Sequence, residues 1–211
     1  MAETTTFVQR LFQKIYDVIL NVEDELAQLD SVAGDGDHGA GMVRGFNASL
    51  EADLSGDTAT AIKNAGKAFA NAAGGSSGAL VGMFIMQIGN SLPEENITAP
   101  DVAKGLRAGL NAICKLGKAK VGDKTMIDTL SPFVDTYEEA AKTTEDVSKA
   151  WIAALPSAEK GMESTRDMTS KRGRASKLGD RSLGHIDPGA RSMYYVARTV
   201  GEALANETET P

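Results

Sequence analysis

The sequence has little of what stabilises secreted proteins or anchors a protein in a membrane. Cys114 is its single cysteine in 211 residues, so no disulfide can form within the chain. Residues 1–6 lack the basic segment and the apolar run of a secretory signal. The longest apolar run, 79–86, is far too short to cross a bilayer. These absences predict a cytoplasmic protein with no membrane attachment.

Aromatic residues and positive charge are also scarce. Aromatic side chains make up 5% of the chain against 42% for all hydrophobic residues, so small aliphatic side chains must fill most of the core. The length suits one substantial core, which predicts a single domain over 1–211 with an ordered part of about 7–205. The net charge of -7 argues against a nucleic-acid-binding surface, which needs a basic face.

The spacing of apolar residues predicts an all-α fold. From Phe7 to Leu29 they recur at steps of three and four, and Thr6 with Gln9 forms a capping-box start. Asp187 is expected to be the N-cap of the last helix. The other helical segments are expected at about 39–54, 58–73, 79–91, 101–116, 125–141, 145–168 and 188–205. Eight helical segments joined by short loops, without alternating β-type runs, indicate a helical bundle.

Three aspartates, Asp30, Asp35 and Asp37, fall within eight residues of a glycine-rich segment. Carboxylates held this close repel one another, so a cation between them would explain the cluster. Oxygen ligands without cysteine favour a hard ion, and the missing EF-hand spacing favours Mg²⁺ over Ca²⁺. The alternative is that Asp30 ends a helix and the other two are turn residues, a common role for aspartate beside glycine.

A second glycine-rich segment, GGSSG at 74–78, precedes a helix. Its N–H groups and the positive end of the helix dipole would favour an anion, although such a segment can also be a simple helix connection. A metal cluster and an anion site together are what nucleotide phosphoryl transfer needs. The G-x-G-x-x-G spacing at 34–39 is not a dinucleotide fingerprint, because it follows a helix and carries aspartates where phosphate would lie.

Two further segments could contribute. The stretch 171–187 is rich in arginine and lysine, including Arg172, Arg174 and Arg181, and a guanidinium can neutralise a transferring phosphoryl group. A solvated basic loop is the alternative. The GDKTM segment at 122–126 could bind phosphate or adenine, or could be a turn followed by a helix cap.

These motifs occur in the order DSVAGDGDHG at 30–39, AGGSSG at 73–78, GKAKVGDKTM at 117–126, and KRGRAS at 171–176 followed by GHIDPG at 184–189. In that order they resemble the nucleotide-binding L subunit of dihydroxyacetone kinase, the DhaL or Dak2 domain family. The resemblance covers about residues 7–205. It implies an antiparallel eight-helix barrel with the nucleotide at one end.

The resemblance also implies site residues. Asp30, Asp35 and Asp37 would hold two Mg²⁺ ions and serve catalysis together with Arg174. The chain departs from the family at Gly41, where many members have asparagine. The residues implied to contact ADP or ATP are His38, Gly39, Ala40, Gly41, Ser76, Ser77, Gly117, Thr125, Met126, Arg174, Asp187, Pro188 and Gly189.

The function implied by the resemblance is phosphoryl transfer to a hydroxyl of a short ketose, most simply dihydroxyacetone. The ketose would be held by a separate K subunit, a phosphohistidine carrier protein could recharge bound ADP, and the chain is expected to form a homodimer. One alternative is an ATP-dependent kinase acting on a tetrulose such as erythrulose. The others are a non-catalytic nucleotide-binding regulator and a phosphatase with a two-Mg²⁺ site.

Overall fold

The structure, a computed structural model, describes residues 6–173, 176 and 179–208. Short 3₁₀ helices cover Thr165–Asp167 and Gly179–Ser182. No strand occurs within these described ranges, which confirms the all-α prediction. The α-helices are α1 Phe7–Asn21, α2 Glu23–Ser31, α3 His38–Glu51, α4 Thr58–Ala73, α5 Gly75–Ser91, α6 Ala99–Gly117, α7 Met126–Ala141, α8 Val147–Ser164 and α9 Pro188–Thr208.

The first predicted helix is in fact two helices. Thr6 and Gln9 form the expected capping box, but the helix ends at Val22, whose φ of -110° and ψ of 12° are not helical. Glu23 and Asp24 then supply negative charge to the first turn of α2, where the helix dipole favours it. The described part of the chain therefore has nine α-helices rather than eight.

The other boundaries lie close to those predicted. Within GGSSG only Gly74 lies outside a helix, because α5 begins at Gly75 and includes the two serines. Asp187 accepts a hydrogen bond from the main-chain N–H of Ala190 at 2.8 Å, which confirms it as the cap of α9. No helix among the described residues is long and apolar enough to span a membrane.

The helices follow one another around a ring. Each of α3 to α9 packs against the next, α9 packs against α1, and α1 packs against α3, while α2 lies on α3 and α9. Helices α3, α5, α7 and α9 begin at one end, and α1, α4, α6 and α8 begin at the other. The eight-helix barrel itself stays a prediction.

Glycines allow α4 and α5 to lie very close together. A Cβ on Gly66 would come within 2.6 Å of the Met86 nitrogen, and one on Gly82 within 2.7 Å of the Ala70 nitrogen. These distances are too short for any side chain larger than hydrogen. Helices α4 and α5 are joined by the turn at Gly74.

The interior is lined by apolar side chains. Phe46 and Phe69 meet edge to face with ring centroids 4.9 Å apart, and the Trp151 indole donates to the Ala197 carbonyl at 2.8 Å, tying α8 to α9. A cavity of about 310 Å³ opens near the start of α1, α4 and α8, where Phe7 and Val147 are among the residues lining it. We refer to this end as the far end.

Candidate functional site

A larger cavity of about 710 Å³ opens at the opposite end of the molecule. It is lined by His38, Gly75, Met126 and Pro188, the first residues of α3, α5, α7 and α9. The first turn of a helix carries unpaired N–H groups and partial positive charge. Four such turns around one cavity favour an anionic ligand. We call this space the site cavity.

The three aspartates of the sequence motif meet at the edge of the site cavity. Asp30 lies in the last turn of α2, Asp35 in the turn, and Asp37 is the N-cap of α3. Each offers one carboxylate oxygen, and these oxygens lie within 4.8 Å of one another. This spacing and the all-oxygen donor set fit a hard divalent cation such as Mg²⁺. We call these residues the acidic cluster.

The turn that forms the acidic cluster depends on two glycines. Gly36 has a φ of 77°, a conformation that suits glycine, and a side chain at Gly34 would overlap the Asp30 carboxyl. The main-chain N–H of His38 donates to Asp30 Oδ2 at 3.4 Å, which links the end of α2 to the start of α3. The glycines therefore bring the carboxylates together rather than contacting phosphate themselves.

The start of α5 forms the second wall of the site cavity. Gly74 and Gly75 have φ values of 76° and 61°, and the first bond within the helix runs from the Gly78 N–H to the Gly74 carbonyl at 3.1 Å. The N–H groups of Gly75, Ser76 and Ser77 precede that bond and are left for an anion. Both serines lie on the cavity wall.

His38 joins the starts of two helices. Its ring is buried, and Nε2 lies 3.0 Å from the hydroxyl of Ser192 in α9. Burial lowers the pKa of His38, although the Asp30 carboxylate and a hydrogen bond to the main chain of Pro188 oppose the change. A neutral imidazole suits a residue that fixes α3 against α9 through hydrogen bonds at both ring nitrogens.

Asp187 lies at the start of α9. Burial raises its pKa to about 7, the nearby Asp128 adds to the effect, and the Ala190 N–H and Lys124 oppose it. Its main-chain N–H donates to the Thr165 hydroxyl at 3.0 Å. This carboxyl is therefore able to change its protonation state near neutral pH.

The remaining wall is apolar. Leu80, Ile113, Leu116 and Met126 line it, and Gly117 at the end of α6 keeps it open, since a Cβ there would lie 3.4 Å from Leu80. Flat apolar walls suit aromatic rings such as a nucleobase. The site cavity thus has an acidic edge, an anion-binding wall and an apolar wall.

The structure brings most of the predicted site residues together. Asp35 does not line the cavity, but its carboxylate reaches those of Asp30 and Asp37. Gly39 and Ala40 lie off the wall, and Gly39 packs against the main chain of Glu23 in α2. Arg174 lies outside the described residues. Those that line the cavity are Asp30, Asp37, His38, Gly41, Ser76, Ser77, Gly117, Thr125, Met126, Asp187, Pro188 and Gly189.

Two cationic residues of the cavity, Arg44 and Lys124, were not among the predicted site residues, although Lys124 lies in the GDKTM segment that the sequence marked as a candidate. Arg44 donates to the Ala73 carbonyl at 3.0 Å, so it holds the end of α4 against α3. The helical spacing of 37, 41 and 44 could have placed it on the face that carries Asp37. Lys124 has no such signal, because its hydrogen-bond partners lie 41 to 61 residues further along the chain.

Comparisons with known proteins agree with this arrangement. Residues 32–202 match the model of the DAK2 domain family. The D-erythrulose kinase of Mycolicibacterium smegmatis is 38% identical over 210 residues, which cover 96% of this chain and 36% of that kinase. The chain therefore spans about a third of the length of such relatives.

Other relatives are matched over nearly their whole length. The ADP-binding subunit DhaL of the PEP-dependent dihydroxyacetone kinase of Escherichia coli is 32% identical over 96% of this chain and 99% of the subunit. The crystal structure of the C. freundii dihydroxyacetone kinase with AMP-PNP and Mg²⁺ is similar with a TM-score of 0.71 and 25% identity, covering 96% of this chain and 35% of that one. The motifs, the fold and these matches show that this chain belongs to the DAK2 domain family.

Proposed function

We propose that this chain binds ADP or ATP with two Mg²⁺ ions and passes a phosphoryl group to a hydroxyl of a short-chain ketose, most simply dihydroxyacetone. One observation carries the proposal: the acidic cluster and the free N–H groups at the start of α5 face the same cavity. A Mg²⁺ nucleotide needs both kinds of contact at once. The relative from C. freundii crystallised with AMP-PNP and Mg²⁺ supports the choice of ligand.

The residues of the chain would act mainly by positioning. Asp30, Asp35 and Asp37 would hold Mg²⁺, and the N–H groups at 75–77 would hold the phosphates. The bound Mg²⁺ would supply positive charge to the phosphate oxygens. Because the aspartates and the N–H groups would fix the phosphates from two sides, the terminal phosphoryl group would be aligned with the acceptor hydroxyl.

The other walls would hold the nucleoside. Gly117 and Met126 would contact adenine on the apolar wall. Gly189 at the start of α9 would contact the nucleotide beside the Asp187 carboxylate, which a Cβ at Gly189 would approach to 3.1 Å. We assign Arg174 to charge stabilisation during transfer. Its neighbour Arg172 lines the cavity and pairs with Asp123 at 2.9 Å.

We assign the ketose to a separate K subunit in the cytoplasm, with a phosphohistidine carrier protein recharging ADP in place. The near full-length match to a subunit named PEP-dependent and ADP-binding supports this choice. Pairing of two copies of this chain stays a prediction. A second candidate is an ATP-dependent kinase for erythrulose, which the higher identity to the D-erythrulose kinase favours.

Nucleotide release tests the proposal and separates its two forms. The purified protein is denatured, the released nucleotide is identified and counted by chromatography, and the count is repeated after Mg²⁺ is removed by a chelator. Near-stoichiometric ADP that leaves with the metal is expected for the carrier-fed form. Uptake only when Mg²⁺ and ATP are added favours the ATP-dependent form, and no uptake of either nucleotide contradicts both.

A further inference from the structure

Lys124 is the most unusual cation among the described residues. It is only 3% exposed, and its φ of 61° is a left-handed conformation that costs energy for a residue with a side chain. Its ammonium group donates to the main-chain carbonyls of Thr165, Met168, Ser182 and His185, at 2.8, 3.1, 2.5 and 2.5 Å. An ammonium group has three N–H donors, so four carbonyls more than saturate it.

These carbonyls belong to two stretches that are distant in sequence. Thr165 and Met168 directly follow α8, whereas Ser182 and His185 directly precede α9. The ammonium therefore joins the described stretches 165–173 and 179–187, which together we call the α8–α9 wall. Its residues on the site cavity include Ser170, Arg172, Gly173, Ser182 and His185.

Other contacts also hold the α8–α9 wall. The Ser170 N–H donates to the buried Ser182 hydroxyl at 3.0 Å, the Asp187 N–H donates to the Thr165 hydroxyl at 3.0 Å, and the Lys171 N–H donates to the Asp123 carbonyl at 3.1 Å, each as a single neutral hydrogen bond. Arg172 pairs with Asp123, but the arginine side chain is 43% exposed and such pairs stabilise little. The exposed Lys171 donates to a single carbonyl, that of Gly122, at 2.8 Å. Removal of the buried Lys124 ammonium would leave several main-chain carbonyls of the wall without a hydrogen-bond partner. Unpaired buried carbonyls are costly, so this contact matters more than a single neutral bond.

We propose that Lys124 is a positioning residue, whose ammonium group holds the α8–α9 wall against the loop before α7 and so fixes the cavity-lining residues of the wall where the nucleotide would bind. This inference rests on the proposed function, since it assigns the wall to nucleotide binding. Lys124 need not touch the nucleotide. Its effect passes through the cavity-lining residues of the wall, such as Ser170 and Arg172.

The carbonyl cage supplies a direct test. In Lys124→Ala the four carbonyls surround a space open to the site cavity, and carbonyl oxygens arranged in this way bind K⁺ or NH₄⁺ in place of their hydration shell. Affinity for ADP with Mg²⁺ is measured by calorimetry in LiCl, KCl and NH₄Cl at equal ionic strength. Hydrogen exchange of the amides in the α8–α9 wall is followed under the same conditions.

In LiCl, Lys124→Ala is expected to bind ADP about tenfold more weakly than the wild type, the lower end of the range for residues that orient ligand-binding groups. Exchange should be faster within the α8–α9 wall and unchanged in α4 and α5. KCl or NH₄Cl should restore both properties in the variant and leave the wild type as it was. The matched control Lys160→Ala removes an exposed ammonium from α8, outside the site cavity, and should bind ADP normally.

A folded Lys124→Ala that binds ADP as tightly as the wild type in LiCl overturns the inference. Rescue absent in both KCl and NH₄Cl does so as well, because the cage would then not replace the ammonium. The second variant is Lys124→Gln, which keeps two N–H donors. Loss of the helical fold in both Lys124 variants would mean that Lys124 serves global stability, and this result would also overturn the inference. Failure of the wild type to bind ADP would instead contradict the proposed function.

Discussion

The two ends of the molecule treat their helix starts differently. At the far end, α1, α4 and α8 are each capped by a side chain, Thr6, Asp57 or Asp146, which accepts a main-chain N–H bond at 2.8 to 3.2 Å. The start of α6, at the same end, is closed differently, by Asp101, which accepts the main-chain N–H of the N-cap Thr98 at 3.2 Å. At the site cavity, α7 and α9 are capped in the same way, by Thr125 and Asp187. Among the described residues, no side-chain cap bond is present at the start of α5. At the start of α3 the N-cap Asp37 makes no cap bond, and the N–H of His38 donates instead to Asp30 of the acidic cluster at 3.4 Å.

The difference teaches where the molecule keeps donors for a ligand. A missing cap leaves a helix about 1 kcal/mol less stable, and at the far end no ligand is proposed that would offset this loss. At the site cavity the same N–H groups can bind phosphate, so the ligand completes what the chain leaves open. We therefore expect Mg²⁺ and ADP to stabilise the protein, and changes at the two ends to have separable effects.

The largest effect is expected from Asp37→Asn in the acidic cluster. A neutral amide holds Mg²⁺ poorly, so phosphoryl transfer to the ketose should fall by at least about a hundredfold, the upper range for residues that merely support a metal ligand. Asp57→Asn at the far end is the matched control, because asparagine caps a helix as well as aspartate does. Reaction rates are measured at saturating ketose, and ADP affinity is measured by calorimetry. Equal rates for the two variants would show that the acidic cluster takes no part in the reaction.

The next effect concerns Asp187, whose pKa is raised to about 7. The folded state holds this proton more tightly than the unfolded state, whose pKa lies near 3.8, so the stabilisation is complete at low pH and is lost as pH rises to about 7. Asp187→Asn cannot ionise and should be more stable than the wild type above that pH by about 2 kcal/mol, a discounted value for a partly exposed carboxyl.

Urea unfolding of the nucleotide-free protein at several pH values between 4 and 8 measures this difference. The control is Asp146→Asn at the far end, where the cap carboxyl is half-buried and hydrogen bonds from Lys149 lower its pKa. That variant should show the opposite trend, if any. A constant gap between Asp187→Asn and the wild type across this range would mean that the carboxyl is already ionised in the folded state.

A smaller effect is expected when charge is placed at the uncapped start of α5. In Ser76→Asp the carboxylate favours the helix dipole by about 0.5 kcal/mol. It also repels the phosphates, which should weaken ADP binding about tenfold. Ser76→Ala removes the hydroxyl without adding charge and is the control for both measurements, thermal unfolding without ligand and calorimetric titration with it. Tighter ADP binding in Ser76→Asp would contradict the anion site.

Features with local signals could be predicted from the sequence at both ends of the molecule. The capping box of Thr6 and Gln9 needs only three residues of spacing, and Asp187 before Pro188 marks the start of α9 in the same way. The acidic cluster is equally local, since a glycine-rich turn brings residues 30–37 together. The break at Val22 was missed because the apolar spacing continues through it.

The α8–α9 wall could not be predicted from the sequence. Lys124 meets carbonyls that any residue could supply, so no side-chain pattern marks the partners. Gly39 is another example. It was expected to contact the nucleotide, but it lets α3 approach α2, and the sequence does not distinguish a glycine in a phosphate-binding motif from a glycine at a helix contact. Such contacts depend on how helices pack, which periodicity does not specify.

The smallest effect is expected at a far-end cap. Asp57→Ala removes the acceptor for the Thr60 N–H, which lies at 2.8 Å, and should lower the free energy of unfolding by about 1 kcal/mol. ADP affinity should not change, because Asp57 belongs to the end where α4 begins, away from the site cavity. Urea unfolding and calorimetry on one preparation measure both properties. If the loss of this cap also weakened ADP binding, the two ends would be coupled through α4. The conformation of the uncapped start of α5 would then depend on the stability of α4 at the far end, and not only on the glycines at the turn.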